Sequence, residues 1–525
     1  MKKKLFILIT VLTAGIISGR AFAQPYMVKN VSGGLGPQSL INVNGTLFFS
    51  ATGISNTNHQ LWKSDGTAAG TLKAGSINTS STGATFLYNL TNVNGTLFFS
   101  ADDGVRGYEL WKSDGTTAGT KIVRDFYYGP YSAFPENLTN VNGTLFFSAS
   151  DGINSYQLCK SNGTEAGTVV VKILASNEFF NLKGTLFFFG NDGTDYGLWK
   201  SDGTAAGTVL VKKDVSYHTT GNSKIVDGTL FFTSDNGTIG IELWKSDGTA
   251  AGTVMVKDIN PGNYNSSAPS SLTNINGTLF FAAFDGTNGR ELWKSNGTTA
   301  GTVMVKDINP GSSDSNPAEL VNVNGTLFFV TRKGNNGAEL WKSDGTAAGT
   351  VLMKDFIPGA TGSLPSYLTN VNGKLFFAAD NGTTGNELWQ SDGTAVGTVL
   401  VKDINPGTKD SNPRHLTNVN GTLFFAAEDG INGYELWAYS VVSDIRDFDY
   451  KTAISIYPNP VQDVLHITCT EPIAGVEVYN ILGELIYEKK GEVNTIQVDL
   501  LAQGVYTISL KTVAGKTAVS RFSKQ

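Results

Sequence analysis

The 525-residue sequence has few of the residues that build disulfide frameworks and transition-metal sites, with only two cysteines and four histidines. The histidines lie in unrelated contexts, and no pair of them has the spacing of metal ligands: they are His59, His218, His415 and His466. Cys159 and Cys469 lie in segments that we assign to different domains, so we expect two buried free thiols. These absences predict no metal site and no cofactor.

The sequence also lacks recognisable catalytic motifs. It has no Gly-x-Ser-x-Gly elbow, no His-Glu-x-x-His and no phosphate-binding loop. Its carboxylates recur at equivalent positions, whereas catalysis needs one special pair; the recurring glutamates are Glu109, Glu242, Glu291, Glu339, Glu387 and Glu435. Short acidic loops such as Asp102-Asp103-Gly104 supply too few oxygens for calcium, which favours turn chemistry there. We therefore predict no catalytic residues.

Long apolar runs are absent beyond the N-terminus. Residues 1–23 have a lysine-rich start, the apolar run Leu5–Ile17 and the small-residue motif Ala21-Phe22-Ala23, which together predict a secretory signal peptide. Thirteen residues are too few to span a bilayer, so no transmembrane segment is expected in the mature chain. Loss of the four basic residues of this segment changes the net charge from -6 to -10. Phosphate binding needs a basic patch, so we expect no nucleic acid partner.

One repeat dominates the remaining sequence. A Gly-Thr-Leu-Phe-Phe core, with Lys for Thr once, is followed by Leu-Trp-Lys-Ser-Asp-Gly-Thr or a close variant, at steps of 50, 48, 41, 44, 49, 48, 48 and 48 residues. The glycines that begin the core are Gly45, Gly95, Gly143, Gly184, Gly228, Gly277, Gly325, Gly373 and Gly421. A period near 48 predicts a propeller, a solenoid or another repeat array.

Each repeat predicts four short strands. The Asn-Gly dipeptides and Asp227-Gly228 predict tight hairpins between the first two strands, and only Lys183-Gly184 departs from this pattern. In Leu-Phe-Phe the apolar residues do not alternate with polar ones, which indicates a second strand buried on both faces, as in stacked propeller blades. The Trp of the third strand is predicted to belong to the same core. The Asp-Gly-Thr-x-x-Gly-Thr segment is interpreted as a structural corner.

The ninth repeat lacks a fourth strand, whereas Tyr26–Val31 precedes the first repeat and resembles one. We predict that this segment completes blade nine and closes the ring. The expected fold is all-β, a β-propeller of about nine four-stranded blades followed by a small Ig-like β-sandwich. Because nine exceeds the usual blade number, an open or differently partitioned array remains the alternative.

The composition changes near residue 440. We expect a signal peptide at 1–23, the propeller at 24–440, a polar linker at 441–453 and a terminal domain at 454–525. Alternating segments such as Val464–Ile467 and Gly504–Ile508, with turns between them, predict the β-sandwich in that last domain.

Two parts of the sequence resemble known protein families. Glu-Leu-Trp-Lys-Ser-Asp-Gly-Thr resembles the bacterial ELWxxDGT-repeat proteins over Tyr26–Trp437, a resemblance that implies a secreted protein without a defined activity. Segments of the tail, including Ile456–Pro460, Val478–Gly483 and Leu501–Tyr506, resemble the C-terminal sorting domain of the type IX secretion system of Bacteroidetes. This implies export across the outer membrane by that secretion machinery, to the cell surface or the extracellular space.

Two functions remain open. The equivalent blades and the absence of a convergent acid and base favour a non-catalytic binding or adhesion module, with a glycan or a protein as ligand. The alternative is a carbohydrate-active hydrolase or lyase with its site on the face that carries the variable loops.

The loop before blade three is the most distinctive of the connections. It carries five aromatic residues between Phe126 and Phe134, so we predict that Tyr127, Tyr128 and Tyr131 form an aromatic ligand-binding platform beside the shortened link after blade three. Tyr217 and His218 are predicted to border the same site. A purely structural packing role for the loop is the alternative.

Overall fold

The computed structural model describes residues 24–31, 36–52, 58–77, 86–154, 156–215, 223–332, 337–359, 362–440, 454–469, 472–480, 485–513 and 517–525. Within these residues every regular element is a β-strand. The chain divides into two compact units, at 1–441 and 442–525. Tyr217, His218, the predicted signal peptide and the whole of the predicted linker lie outside the described residues.

The larger unit begins with β1 (Tyr26–Lys29), and the following strands form blades in chain order. Blade 1 contains β2 (Gln38–Val43), β3 (Thr46–Ala51), β4 (Gln60–Ser64) and β5 (Leu72–Gly75). Blade 2 contains β6 (Tyr88–Val93), β7 (Thr96–Asp102), β8 (Tyr108–Ser113) and β9 (Lys121–Arg124). Blade 3 contains β10 (Glu136–Val141), β11 (Thr144–Ala149), β12 (Gln157–Ser161) and β13 (Val169–Lys172). Blade 4 contains β14 (Ala175–Leu182), β15 (Thr185–Asn191), β16 (Tyr196–Ser201) and β17 (Val209–Lys213).

The second half of the unit repeats this arrangement. Blade 5 contains β18 (Lys224–Val226), β19 (Thr229–Ser234), β20 (Glu242–Ser246) and β21 (Val254–Lys257). Blade 6 contains β22 (Ser270–Ile275), β23 (Thr278–Phe284), β24 (Arg290–Ser295) and β25 (Val303–Lys306). Blade 7 contains β26 (Ala318–Val323), β27 (Thr326–Thr331), β28 (Glu339–Ser343) and β29 (Val351–Lys354). Blade 8 contains β30 (Ser366–Val371), β31 (Lys374–Asp380), β32 (Asn386–Ser391) and β33 (Val399–Lys402), and blade 9 contains β34 (Arg414–Val419), β35 (Thr422–Glu428) and β36 (Tyr434–Ser440).

The ring closes through β1, which supplies the fourth strand of blade 9. Met27 pairs with Trp437 in an antiparallel ladder, and the sheet order is β1, β36, β35, β34. The innermost strand of blade 9, β34, in turn packs against β2 of blade 1. A β-carbon added to Gly45 would lie 2.5 Å from Nδ2 of Asn420, so the first and ninth hairpin turns touch. The predicted nine-bladed propeller is therefore confirmed.

The blade interfaces are made by the residues that the repeat predicts. The second Phe of each Leu-Phe-Phe is fully buried, and all eight tryptophans are at most 8% exposed. The Phe49 and Trp62 rings stack with centroids 6.3 Å apart. In blade 3 Cys159 occupies the Trp position and is fully buried, while Phe126 packs edge-on against Phe147 in the same cluster.

Lysines join neighbouring blades. The Lys of Trp-Lys-Ser donates to the Gly carbonyl of the next blade's corner, as Lys112 Nζ does to Gly163 O at 2.7 Å. Outer-strand lysines make a second bond, as between Lys257 Nζ and Thr302 O at 2.9 Å. Lys29 Nζ donates to Thr71 O at 2.8 Å across the closing seam. The Leu-Trp-Lys-Ser-Asp-Gly-Thr segment therefore holds the ring together.

The smaller unit is a two-sheet sandwich, which agrees with the sequence prediction. One sheet contains β37 (Ile454–Tyr457), β38 (Val464–Cys469) and β41 (Thr495–Gln497). The other contains β39 (Ile473–Tyr479), β40 (Leu485–Lys490), β42 (Gly504–Thr512) and β43 (Thr517–Lys524). Leu465, Val478 and Ile508 lie in a single core between them. Cys159 and Cys469 are both free, but Cys469 is half-buried rather than buried as expected.

Candidate functional site

The antiparallel strands sort the propeller loops into two faces. The hairpin turns between first and second strands and the Asp-Gly-Thr corners lie on one, which we call the corner face. The loops between second and third strands and the connections between blades lie on the other, which we call the connection face.

On the corner face, the polar groups of each Asp-Gly-Thr corner form hydrogen bonds within that corner. Asp65 Oδ1 accepts hydrogen bonds from the amide and hydroxyl of Thr67, both at 2.8 Å. These bonds lower the pKa of Asp65. A β-carbon on Gly70 would lie 2.0 Å from Asp65 Oδ1, which is why the motif needs glycine there. Asn296 accepts the equivalent bonds in blade 6, so the corner works without a charge and is a structural turn.

On the connection face, the carboxylates of the recurring glutamates accept hydrogen bonds from the loops. Glu291 accepts hydrogen bonds from the Ile308 and Ser315 amides at 2.8 and 3.0 Å and from the Ser315 hydroxyl at 2.6 Å. It thereby fixes both ends of the connection to blade 7. Burial raises the pKa of Glu291 above its usual value. In blade 1 the equivalent residue is Gln60, whose Oε1 accepts a hydrogen bond from the Ile77 amide at 2.9 Å. This anchoring of the connection, which we call the clamp, therefore does not depend on an ionised side chain.

Eight inner strands carry a β-bulge near their connection-face ends. The bulged residue has positive φ in each; these residues are Ser39, Asn89, Asn137, Glu178, Ser271, Glu319, Tyr367 and His415. Neighbours touch across blades, because Glu178 N donates to Asn137 Oδ1 at 3.3 Å and the Tyr367 and His415 ring centroids are 6.1 Å apart. Unlike the core, this ring varies from blade to blade, and strained backbone of this kind is common at ligand sites.

Glu178 has the most perturbed carboxyl on that ring. Burial raises its pKa to about 7, against hydrogen bonds from Ser223 that lower it. Its Oε2 is buried and has no hydrogen-bond partner among the described residues. Glu319, the ring's other carboxylate, belongs to blade 7 and accepts a bond from the Leu368 amide at 3.3 Å. A single acid without a facing carboxylate is an incomplete glycosidase site.

The connection before blade 3 has the same backbone scaffold as the connection before blade 7. The Ala133 and Phe134 amides donate to Tyr108 O at 3.0 and 3.1 Å, as the Ser315 and Asn316 amides do to Arg290 O. Both loops are clamped by a glutamate, Glu109 in the first. The two loops therefore differ in side chains rather than in backbone hydrogen bonding.

The predicted tyrosines have different environments on this scaffold. Tyr127 and Tyr131 stack with centroids 4.7 Å apart at an angle of 20°. Tyr127 is half-buried against Gly152, where a β-carbon would fall 2.2 Å from its ring. Tyr131 is 56% exposed and Tyr128 is 87% exposed. Tyr127 thus supports Tyr131, and Tyr128 stands apart from the pair. The link after blade 3 is short, since only Ile173 and Leu174 separate β13 from β14.

A second aromatic group beside this loop was missed by the sequence interpretation. Phe86, Tyr88, Tyr108 and Phe134 form what we call the aromatic row. Successive ring centroids are 6.0, 5.6 and 5.6 Å apart, with interplanar angles of 32°, 44° and 17°. Tyr88 and Phe134 are 49% and 46% exposed, and Phe86 and Tyr108 are half-buried. At its blade 1 end, Phe86 packs against the buried His59 ring at 4.8 Å.

Comparison of the repeats could have identified this row. Tyr88 occupies the position of Ser270 and Ser366 in blades 6 and 8, and Phe134 that of Asn316 and Asn412. Phe134 has φ of 48°, a conformation that Asn tolerates better than Phe. Aromatic residues therefore stand where several other blades have Ser or Asn, and Phe134 does so in a conformation that does not favour it.

The comparisons with known proteins identify the smaller unit. Residues 455–524 match the family model described as "Secretion system C-terminal sorting domain". The tail is a type IX secretion sorting domain. Such a sorting domain implies the type IX machinery as its partner, and it directs this chain across the outer membrane to the cell surface or the extracellular space. A search of curated proteins found no match.

Several solved structures are distantly similar to the chain. PorZ, a surface component of the type IX secretion system of Porphyromonas gingivalis, is 12% identical, with 93% of this chain and 75% of that one covered and a TM-score of 0.33. A prolyl endopeptidase is 11% identical over 91% of this chain and 54% of its own, with a TM-score of 0.39. A puromycin hydrolase is 15% identical over 77% and 60%, with a TM-score of 0.36. Scores this low carry no argument about function.

The described residues give two further findings. No helix among them is long and apolar enough to cross a membrane. No group of three or more His, Cys, Asp or Glu side chains in the same residues is arranged to hold a metal ion.

Proposed function

We propose that the protein is a non-catalytic binding or adhesion module of the ELWxxDGT-repeat type, with residues 1–23 as a cleaved signal peptide. The propeller at 24–440 is the binding domain, 441–453 is a linker and 454–525 is the sorting domain. The observation that carries the proposal is the aromatic surface on one sector of the connection face, in a ring whose recurring carboxylates are already used in structural hydrogen bonds.

The binding surface includes the predicted loop. Tyr131 and Tyr128 present exposed rings, and Tyr127 supports Tyr131 from beneath. Exposed aromatic rings provide a large contact area at small conformational-entropy cost. Tyr217 and His218 stay predicted neighbours of this surface. The ligand is a glycan or a protein, and glycans are favoured because flat rings complement the C–H faces of pyranoses.

The test uses the full exported chain on a glycan array, followed by a turnover assay on every glycan that binds. Binding without turnover supports the module. The variant Y127N/Y128P/Y131S replaces the three rings with their counterparts from the connection before blade 7, and it should lose binding while keeping its melting temperature. Retained binding would remove the loop from the site.

A carbohydrate-active hydrolase or lyase is the second candidate, favoured by one observation. Glu178 is the bulged residue of β14 on the connection face, with its pKa raised to about 7, which suits a general acid at neutral pH. Turnover of an array hit that is abolished in Glu178→Gln would establish this alternative. Glu319→Gln, at the equivalent bulge three blades away, is the matched control.

A further inference from the structure

We propose that the aromatic row binds an extended chain of uncharged sugars, with successive sugars on successive rings. This rests on the proposed binding function and names the ligand class for it. The row is assembled from three separate segments of chain, namely Phe86 and Tyr88, then Tyr108, then Phe134. It therefore exists only in the folded ring, where it runs from the connection before blade 2 to the connection before blade 3.

The geometry favours a linear ligand of several units. Four rings follow one another at nearly constant steps of 5.6 to 6.0 Å. Tyr88 and Phe134, at the second and fourth positions, are about half exposed. A single sugar would cover one ring and leave the others in water. A chain of sugars would cover all of them, so the affinity should grow with chain length.

The charges favour a neutral ligand. The row contains no basic or acidic side chain. Asp102, the strand partner of Tyr108, places a negative charge beside it, and Arg106 is paired with Asp103 at 2.6 Å. The formal charge of the whole chain is -6, which opposes a polyanionic ligand. Acidic polysaccharides are therefore disfavoured relative to neutral ones.

The backbone around the row disfavours an extended peptide. A peptide that binds as an added strand needs a sheet edge with free amides and carbonyls. Tyr88 lies on β6, the inner edge strand of blade 2, and the edge of β6 is already used by blade 3, because Asn140 Nδ2 donates to Asn92 O at 3.3 Å and Thr91 Oγ1 donates to Leu138 O at 3.2 Å. The Phe134 amide donates to Tyr108 O at 3.1 Å. The row therefore offers the half-exposed rings of Tyr88 and Phe134, which match the C–H faces of sugars.

The experiment measures affinity of the full chain for a length series of a neutral oligosaccharide, from one to six sugars, taken from the array hits. Affinity should rise with each sugar up to about four and then level off, as expected for four rings. Tyr88→Ser and Phe134→Asn, which copy other blades, should each weaken binding of the longest oligosaccharide by about tenfold, the factor of one stacked ring. They should also flatten the dependence on length.

Two controls separate the row from general effects. Leu364→Asn changes the same backbone position as Phe134 in the connection before blade 8, where Leu364 has φ of 47°. Tyr264→Ser removes a 72% exposed ring from the connection before blade 6. Both variants should bind like the wild type. Length-independent affinity, or wild-type affinity in Tyr88→Ser, would overturn the inference and leave the binding module standing. If the chain binds a protein but no neutral glycan on the array, the inference is likewise overturned and the binding module stands. If it binds neither a glycan nor a protein, the proposed binding function itself is contradicted.

Discussion

Met27 is the antiparallel partner of Trp437, so the first described strand, β1, completes the last blade of the propeller. The same strand places Tyr26 Oη 3.1 Å from Gly66 O and Lys29 Nζ 2.8 Å from Thr71 O, both in blade 1. One four-residue strand therefore joins the two ends of a ring of nine sheets.

Removal of this strand is the first prediction. Deletion of residues 24–31 exposes the edge of β36 and uncovers Trp437, and exposed edges pair with other chains. We expect a lower melting temperature and concentration-dependent association, measured by calorimetry and by light scattering. Tyr26→Phe, which removes only the bond to Gly66 O, should cost no more than about 1 kcal/mol. A monomeric deletion variant with wild-type stability would contradict the closure.

The second prediction concerns pH. Burial raises the pKa of Glu387 to about 7 from its ordinary 4.5, against bonds from Ser411 and Ile404. Because the folded state then binds more protons than the unfolded state, the stabilisation is complete below pH 4.5 and is lost as the pH rises through about 7. Glu109 behaves in the same way. The melting temperature should therefore be higher at pH 5 than at pH 7.5.

Glu387→Gln tests the cause of that dependence. It installs in blade 8 the residue that blade 1 uses at Gln60, whose Oε1 accepts the Ile77 amide. The variant should fold and show a smaller decrease in melting temperature between pH 5 and 7.5. An unchanged slope would mean that Glu387 does not contribute to it.

The third prediction exchanges core residues between blades. Cys159 and Phe126 share one cluster, whereas most other blades combine Trp with a smaller residue, as Trp341 with Ile308; blade 8 is the exception, with Phe356 beside Trp389. Cys159→Trp alone should destabilise by about 1–3 kcal/mol through overpacking. Adding Phe126→Ile should recover much of the loss. A double-mutant cycle in urea measures this coupling, and additive losses would show that the two side chains do not share the space.

The fourth prediction concerns the corner motif. Asp344 Oδ1 accepts the Thr346 amide at 2.8 Å and the Thr346 hydroxyl at 2.7 Å, bonds that Asn296 makes in blade 6. Asp344→Asn should leave the free energy of unfolding nearly unchanged, whereas Asp344→Ala should cost about 1 kcal/mol. Equal losses in the two variants would show that the charge matters more than the hydrogen bonds.

Much of the fold can be predicted from the sequence because the same repeat occurs nine times. The blades were predicted from the period, the Asn-Gly turns and the Leu-Phe-Phe that is buried on both faces. The closure of the ring was predicted from the unmatched strand at Tyr26. The tail was recognisable from its own motifs. Each of these features depends on residues close together in the chain, where local propensity and periodicity decide the structure.

The surface that we assign to ligand binding depended on the tertiary structure. Tyr88, Tyr108 and Phe134 occupy three different segments, and only the antiparallel pairing within blade 2 and the clamped connection after it bring their rings to within 6 Å of one another. The loop at Tyr127 was visible in the sequence, but which of its rings are exposed was not. The sequence alone determined the ring of blades and the route of export, because those are encoded in local repeats and motifs; the folded structure decided which side chains meet on the connection face, because that depends on contacts between segments far apart in the chain.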